Sequence, residues 1–537
     1  MDREINLDAI RALESQIKEH EGAIIRLKRT RNSFLNVSTL PPEILGAIFR
    51  WNVIPDGDFG GLPRGSYNFL LVCHHWLEVA SRTPELWCFW GNTIQDWIHR
   101  YARCGTAPID LVLDEGPYGT GRDFDDKLRD ALQDRAARDT IRQVRLRGFH
   151  TAERLNCAIS AIVNKGEEPR SISMESFIIH NGGRPSAAIV DVSAFFSRYH
   201  LPKLKHLHLF GCRISPQDLL KSRTTALTTL DLTSSELSPL FTSSQLLSIL
   251  SSNPFLQHVE LPPDSVTHAD GDRSFGQVPL HHLRKLDLSN NFRLVFRLLN
   301  RLELPDKMDN LRLSLYECSP SDLSQTLGPY LGDRVRRRGR FPGGGLGLWI
   351  SRSSTTVDLR IGDVPQGDGS GRLVWSVGVS ASMSAKMGGE EADKLCFNLI
   401  GHVPQDQIVD LQTTLPILRS QELCVGMRNL TYLHLDEVDL SACFVEPNIR
   451  ELHTSEKLLP SLDCIMISQP TLSGDDWTPF TDFLSRRAAV GNPISSLRFQ
   501  GSRPHMDEDV FECIGRAVKD LEDEGSDEDE DSDKDEY

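Results

Sequence analysis

A short motif with apolar residues at its first, fourth and sixth positions recurs at a nearly regular spacing in the middle of the chain. Four copies occupy Leu204–Leu209, Leu227–Leu232, Leu256–Leu261 and Leu283–Leu288, so their first residues are 23, 29 and 27 positions apart. Two further copies, at 308–313 and 430–435, extend the series. Alternating apolar and polar residues predict a half-buried strand, and a strand that returns at a fixed interval predicts a repeated structural unit.

Helix-forming segments separate these strands. Ser243 and Ser244 suit the start of a helix that ends at Asn253-Pro254, and further helices are predicted at about 154–164 and 475–490. A strand and a helix that repeat every 20 to 29 residues or so are typical of leucine-rich repeats, which bury their leucines only by stacking on neighbouring units. The prediction over 102–515 is therefore a horseshoe-shaped solenoid. An ordinary α/β domain with leucine-rich parallel strands is the alternative.

The repeat pattern breaks between about 330 and 393. Five arginines lie from Arg334 to Arg340, and three glycines follow at 343–345. The segment is predicted to be a loop or hairpin inserted in the array, and the glycines lack the Lys-Ser/Thr pair of a phosphate-binding loop. The arginine cluster has several interpretations: a solvated loop, a nuclear address, a site for nucleic acid or an acidic peptide, or a contact for the chain's own acidic end.

The amino-terminal part of the chain holds a high density of large apolar residues. Five of the eight tryptophans lie between Trp51 and Trp97. Pro42 and Glu43 suit the first turn of a helix, and apolar residues follow them at helical spacing. A second helix, predicted over about 67–81, is apolar on more than one side, so it needs burial against something beyond its own small domain. Exposed aromatic groups in this number indicate a partner-binding surface.

This segment resembles an F-box, a three-helix motif that docks onto a Skp-type adaptor and so joins a cullin-RING ubiquitin ligase. The resemblance is carried by the residues from Leu40 to Trp51, by 68–76 and by 84–87. It assigns adaptor contacts to Leu40, Pro41, Ile44, Leu45, Ile48, Phe49, Val72, Cys73, Trp76, Leu86 and Trp87. The connection 52–66 is longer and richer in glycine than in the compact motif, which leaves the path of the middle helix open. A tryptophan-rich helix pair that binds no adaptor is the alternative.

The wider segment is similar to the F-box proteins of mushroom-forming fungi, in a short heptad helix before Leu40 and in Trp97–Arg100 leading to Ala107–Leu113. The resemblance implies a non-catalytic substrate-recognition subunit of a Skp-cullin-F-box ubiquitin ligase, without a cofactor or metal. Its repeats would hold an unknown target protein. The alternatives are a leucine-rich-repeat scaffold outside any ligase and a GTPase-activating protein of the type that serves the Ran switch.

No catalytic site is predicted, because the HExxH, G-x-S-x-G and Walker patterns do not occur in the sequence. In each repeat strand the residues between the leucines point to the opposite side, which would be the concave face of the horseshoe. We expect the target protein to contact that side. Its candidate residues are His206, His208, Phe210, Asp231, His258, Glu260, Lys285, Asp287, Arg312, Tyr432, His434 and Asp436.

Residues 1–36, before the F-box at 37–101, carry a heptad pattern. The residues that step by three and four along it are Ile10, Leu13, Ile17, His20, Ile24 and Leu27. This spacing is typical of a coiled coil. Three heptads are short for an independent coiled coil, so the helix is predicted either to fold back on its own F-box or to dimerise.

Charge and cysteine content limit the compartment and the partners. The net charge is −16, but the segment from Asp520 to Tyr537 holds twelve acidic residues and one lysine, so the rest of the chain carries only −5. Residues 516–537 are therefore predicted to be a disordered acidic tail. Eleven cysteines without a CxxC pair indicate a reducing compartment, and no apolar run is long enough to cross a bilayer.

These observations together predict an α/β fold class: a helical F-box, a leucine-rich-repeat-like solenoid and a disordered acidic tail. We expect a cytoplasmic or nuclear protein whose partners are other proteins rather than membranes or nucleic acids.

Overall fold

The computed structural model divides the chain into two compact units, Met1–Pro239 and Leu240–Tyr537. The residues that it describes are 7–34, 40–53, 67–91, 102–114, 128–130, 132, 138–149, 151–163, 170–181, 189–267, 276–316, 318–319, 321, 323–338, 345–352, 356–363, 376–384, 389–438, 440–444, 459–469, 477–500 and 507–524. Within them the chain forms α-helices and short β-strands.

The first unit begins with helices and continues with strands. Its α-helices are α1 (Leu7–Ser33), α2 (Pro42–Val53), α3 (His74–Ser81), α4 (Ala152–Val163), α5 (Ser193–Arg198) and α6 (Pro216–Lys221), and short 3-10 helices cover Asn68–Leu71 and Pro84–Trp87. Its strands are β1 (Phe89–Trp90), β2 (Ile109–Asp114), β3 (Ile141–Arg147), β4 (Arg170–Ser171), β5 (Ser176–His180), β6 (Val190–Asp191), β7 (Tyr199–His200), β8 (His206–Ile214) and β9 (Thr229–Leu237).

The main sheet of the first unit is parallel. β1, β2, β3, β5, β8 and β9 pair side by side in that order, β6 pairs with the end of β8, and β4 pairs separately with β7. The register places Leu207 opposite both Phe177 and Leu230, and all three side chains are fully buried. Helix α5 completes this core, since the Phe195 ring stacks on Phe177 with 4.3 Å between centroids.

The second unit consists of strands with helices between many of them. Its strands are β10 (Phe241–Thr242), β11 (His258–Glu260), β12 (Val266–Thr267), β13 (Val278–Pro279), β14 (Lys285–Asn291), β15 (Leu302–Glu303), β16 (Asn310–Tyr316), β17 (Leu346–Arg352), β18 (Thr356–Asp363), β19 (Ser376–Ser384), β20 (Ile408–Thr413), β21 (Tyr432–Asp436), β22 (Cys464–Ser468), β23 (Ile494–Gln500) and β24 (Val518–Glu524). Its α-helices are α7 (Ser243–Ser252), α8 (Phe292–Leu299), α9 (Gly328–Arg338), α10 (Gly389–His402), α11 (Gln421–Gly426), α12 (Leu440–Cys443), α13 (Thr478–Ala489) and α14 (Glu508–Ala517).

The remaining helical turns of the second unit are short. A π-helical turn covers Leu323–Leu327, and 3-10 turns cover Gln405–Gln407 and Ile417–Arg419. The start of α7 follows the predicted capping chemistry one residue earlier than expected. Thr242 accepts a hydrogen bond from the Gln245 backbone, and the Gln245 side chain accepts one from the Thr242 backbone, which is a capping box.

The main sheet of the second unit is mixed. β11, β14, β16 and β19 pair in parallel, β18 lies antiparallel between β19 and β17, and β17 then continues in parallel through β20, β21, β22, β23 and β24. Two small parallel pairs, β10 with β12 and β13 with β15, lie outside it. The sheet strands of the described residues therefore number seven in the first unit and eleven in the second, 18 in all.

The predicted fold class is wrong. The structure is a large mixed α/β fold with mostly parallel sheet strands, and not a helical F-box followed by a leucine-rich-repeat horseshoe. The motif leucines do lie buried in strands, as Leu207, Leu230 and Leu286 show, but such alternation requires only that one face of a strand be covered. Motif spacing also contains no information on the antiparallel strand β18. The alternative of an α/β domain with leucine-rich parallel strands is closer to the structure.

The segment predicted as an irregular insertion at about 330–393 contributes regular structure. The arginines at 334–338 lie on α9 rather than in a loop, and Arg340 lies outside the described residues. Strands β17, β18 and β19 then enter the sheet. Their apolar residues Leu348, Leu359 and Met383 are buried, which is the reason that this stretch forms strands although it lacks the leucine motif.

The acidic tail also begins later than predicted. Residues 518–524 form β24, which pairs in parallel with β23, so the predicted disorder over 516–524 is wrong. Val518 is buried, and Arg498 Nε on β23 lies 3.0 Å from a carboxylate oxygen of Glu522. Acidic composition predicts disorder only where no neighbouring strand supplies a cation and an apolar surface. The remaining tail residues, 525–537, lie outside the described part of the chain.

Candidate functional site

Helix α2 begins where the sequence predicts, at Pro42. The carbonyl oxygen of Pro41 accepts hydrogen bonds from the backbone N–H groups of Ile44 (3.0 Å) and Leu45 (3.1 Å), and proline in the first turn loses no intrahelical bond. The acidic Glu43 lies in the same turn, where the helix dipole favours a negative charge. The start of this helix therefore follows from local sequence.

A small aromatic core holds α2 against the segment 67–87. The Phe49 ring stacks on Phe69 with 4.4 Å between centroids and lies 5.1 Å from the Trp76 ring. Trp87 Nε1 donates a hydrogen bond to the carbonyl oxygen of Ala80 at 2.8 Å. Buried Leu45 fills the same side of α2, so this part of the chain has a core of its own.

Four of the predicted adaptor-binding residues belong to that core. These are Leu45, Phe49, Leu86 and Trp87, which are between 0% and 5% exposed. Leu40, Cys73 and Trp76 are half-buried, and Pro41 is exposed. The sequence marks both kinds of residue as large and apolar, so it does not separate those that support the motif from those that face outward.

The remaining predicted adaptor residues are exposed apolar side chains. On α2, Ile44 is 49% and Ile48 is 41% exposed, and Trp51, one turn further along the same side, is 81% exposed. In the 3-10 turn before α3, Leu71 is 86% and Val72 is 55% exposed. We call these five residues the apolar face. Trp51 and Leu71 were not among the predicted contacts, although Trp51 continues the three-and-four spacing that marked Ile44 and Ile48.

The predicted target-binding residues of the first unit lie on the neighbouring strands β8 and β9, and β5 pairs with the other side of β8. His208 Nδ1 lies 3.0 Å from a carboxylate oxygen of Asp231, and His206 Nδ1 lies 3.3 Å from the Thr229 hydroxyl. The Phe210 ring stacks on His180 with 4.3 Å between centroids. We call this row of side chains the polar row of the first unit.

Burial affects the titration of His180 in this row. The pKa of His180 is lowered, first by burial and then by the neighbouring charge of His208. Asp231 is buried and also accepts hydrogen bonds from the backbone N–H and the hydroxyl of Thr233, at 3.0 and 2.6 Å. The carboxylate therefore has several donors within the protein itself.

In the second unit the predicted residues of β11, β14 and β16 form cross-strand ion pairs. Lys285 pairs with Glu260, and Arg312 Nη1 lies 3.7 Å from a carboxylate oxygen of Asp287. The pKa of Asp287 is raised because burial outweighs the attraction of Arg312. His258 is exposed on β11. Neighbouring strands therefore neutralise most of the charges that were predicted to contact a target.

Two of the three predicted residues of β21, Tyr432 and His434, have internal partners. Tyr432 donates a hydrogen bond to the Met466 sulfur at 2.7 Å, and His434 Nε2 lies 2.7 Å from the Ser468 hydroxyl. Burial lowers the pKa of His434, against an opposing effect of Asp436. These contacts join adjacent strands of the sheet.

Comparison with known proteins gives no family assignment for this chain. No protein-family model matches it, and no curated protein sequence matches it. In the part of the chain that the structure describes, no helix is both long and apolar enough to span a membrane. The same residues include no group of three or more His, Cys, Asp or Glu side chains placed to hold a metal ion. A function has to be inferred from the surfaces themselves.

Proposed function

We propose that this protein is a non-catalytic substrate-recognition subunit of a Skp-cullin-F-box ubiquitin ligase. The observation that carries the proposal is the apolar face, which lies within the segment that resembles an F-box. Its exposed residues include three of the positions that the resemblance assigns to adaptor contact, Ile44, Ile48 and Val72.

The arrangement of α2 supports docking of a partner on that face. Leu45, Phe49 and Val53 are buried on one side of the helix, whereas Ile44 and Ile48 are exposed on the next. A helix that only needed to cover its own core would carry polar residues there. Clustered isoleucine and tryptophan side chains left in water favour association, and large aromatic groups often anchor protein interfaces.

In this proposal the sheet-bearing remainder of the chain holds the target protein. The exposed residues of the predicted set, such as His206, His258 and Arg312, are the candidates for that contact. The chain positions the target protein, because a target held beside a ubiquitin-charged enzyme has a high effective concentration. Such a ligase works in the cytoplasm or nucleus, and we place the protein there.

The exposure of each side chain decides which substitutions test adaptor binding. Leu45 is fully buried, so a charge at that position would disrupt the helix pair itself. The double variant Ile44→Asp, Ile48→Asp changes only exposed side chains. The matched control is Phe255→Asp, Val490→Asp, which places two charges at exposed apolar positions elsewhere, 57% and 82% exposed.

We expect the wild-type chain and the control variant to retain a purified Skp-type adaptor in a pull-down, and the α2 variant to lose it at least tenfold. Circular dichroism and thermal unfolding establish that both variants are folded. Equal retention by all three proteins would overturn the assignment. Recovery of a cullin subunit with the wild-type chain and adaptor then separates a ligase subunit from an F-box protein that acts outside any ligase.

A further inference from the structure

Helix α1 carries an apolar stripe that the described part of the chain leaves uncovered. It runs for 27 residues, which at 1.5 Å per residue is about 40 Å. Every described side chain from Ile10 to Glu21 is exposed. The stripe residues are Ile10 (42%), Leu13 (58%), Ile17 (56%), Ile24 (51%) and Leu27 (71%). The expectation that α1 folds back on the F-box segment finds no support in this exposure.

The stripe has the residue pattern of one particular coiled coil. In heptad notation the a positions are Ile10, Ile17 and Ile24, and the d positions are Leu13, His20 and Leu27. Among parallel coiled coils, isoleucine at a together with leucine at d favours two strands. From this placement we infer that the protein forms a homodimer in which α1 pairs in parallel with α1 of a second copy.

The flanking charges select the same orientation. The e positions are Glu14, Glu21 and Lys28, and the g positions between them are uncharged. In a parallel pair each e residue faces a g residue of the other helix, so no like charges meet. An antiparallel pair that aligned all six a and d layers would instead bring Glu14 of one copy beside Glu21 of the other.

His20 sets the strength of the pairing. It occupies the one polar position of the stripe, and a single polar residue in a coiled-coil seam fixes the register at a cost in affinity. With only three heptads as well, the dimer is expected to be reversible and dependent on concentration. Replacing the imidazole with leucine should remove that cost.

The test is the molar mass of the full chain in solution over a range of concentrations. The mass by sedimentation is expected to rise from 60.3 kDa towards twice that value. Ile17→Asp should hold the chain at the monomer mass throughout. Ile25→Asp is the matched control, because Ile25 is exposed to a similar extent (50%) but lies off the stripe, and it should dimerise like wild type. His20→Leu should lower the dissociation constant at least tenfold.

The orientation of the two paired α1 helices is tested by a separate measurement. Ile10→Cys should form an interchain disulfide under mild oxidation, because a parallel pair places the two copies of residue 10 side by side. Wild-type chain treated in the same way is the control for its own cysteines. A monomeric mass for both wild type and His20→Leu, or equal disruption by Ile17→Asp and Ile25→Asp, would overturn the inference.

Adaptor capture keeps this inference separate from the proposed function. Ile17→Asp should still retain the adaptor, and the Ile44→Asp, Ile48→Asp variant should still dimerise. Loss of adaptor capture in Ile17→Asp, together with a monomeric mass for the wild-type chain alone, would show that α1 is covered by the adaptor rather than by a second copy, and would reject the homodimer.

Discussion

The sulfur atoms of Cys88 and Cys104 lie 3.5 Å apart, and both side chains are buried. Cys88 follows the 3-10 helix Pro84–Trp87, and Cys104 lies just before β2. The hydrogen bond between the thiols lowers the pKa of Cys104 and raises that of Cys88. Cys104 is therefore the sulfur that forms a thiolate first, with a second thiol in contact.

This contact predicts a disulfide on treatment with hydrogen peroxide. The Cys104 thiolate attacks peroxide to give a sulfenic acid and hydroxide, and the Cys88 thiol then displaces water to form the bond. Cys88 lines an open cleft of about 200 Å³, so peroxide can approach the thiol pair from the Cys88 side. Peptide mapping should show Cys88 joined to Cys104. Cys212, a buried cysteine whose pKa is raised by burial to about 12, should stay reduced. Recovery of both contacting thiols by alkylation after unfolding would contradict this.

Arg487 on α13 is predicted to stabilise the second unit through its guanidinium. The side chain is 9% exposed and donates hydrogen bonds to the carbonyl oxygens of Leu459 and Leu462, both at 3.0 Å. Arg487→Met would leave these buried acceptors without their donor, and we expect a loss of about 2–4 kcal/mol in unfolding free energy. Arg486→Met, at a half-buried position on the same helix whose guanidinium pairs with Asp482 at 3.5 Å, should lower it by a smaller amount, of about 1 kcal/mol. Denaturant unfolding of both variants measures the difference, and equal losses would contradict the role given to Arg487.

His434 should make the second unit sensitive to acid. Because burial lowers its pKa below the ordinary 6.5, the unfolded chain takes up a proton before the folded chain does as the pH falls. Stability is therefore full above that value and decreases as the pH falls below it. In His434→Gln the drop in melting temperature between about pH 7.5 and pH 5.5 should be smaller than in wild type. His258→Gln, at an exposed position, is the control and should keep the wild-type drop; an unchanged drop in His434→Gln would reject the prediction.

Two neighbouring positions on α2 should respond differently to truncation. Leu45→Ala removes a fully buried side chain and is expected to cost about 2–4 kcal/mol of local stability. Ile48→Ala shortens a side chain that is 41% exposed and should cost less than about 1 kcal/mol. Hydrogen exchange of the 42–53 amides is the measurement, because it reports the local stability of this helix. Equal protection in the two variants would contradict the division of α2 into a buried and an exposed side.

Several helices and strands could be predicted from local sequence. The start of α2 at Pro42 depends on residues within one turn, and the motif strands beginning near Leu207, Leu230 and Leu286 depend on an alternation that any half-buried strand needs. The helices predicted near 154–164 and 475–490 correspond to α4 and α13. Such features require only contacts between residues close in the chain, so the pattern itself contains the information.

Only part of the candidate site could be predicted from the sequence. Sequence reasoning located the segment 40–87 and its apolar character, but it assigned Leu45 and Ile48 the same outward role. One is buried and the other exposed, because the packing of α2 on Phe69 and Trp76 decides which side of the helix is covered. The polar row was also placed on the strands correctly, yet its mutual pairing, as between His208 and Asp231, depends on strand register.

The sequence by itself determined that this chain has an apolar, tryptophan-rich helical segment near its amino end, a heptad helix before it, and leucine-bearing strands after it. These are properties of periodicity, and periodicity is local. The tertiary structure alone decided that the main sheet of the second unit is mixed, that part of the acidic end forms β24, and which apolar side chains remain in water. Those outcomes depend on pairings between strands and helices that are distant in the chain, and local sequence patterns do not specify which of them pair.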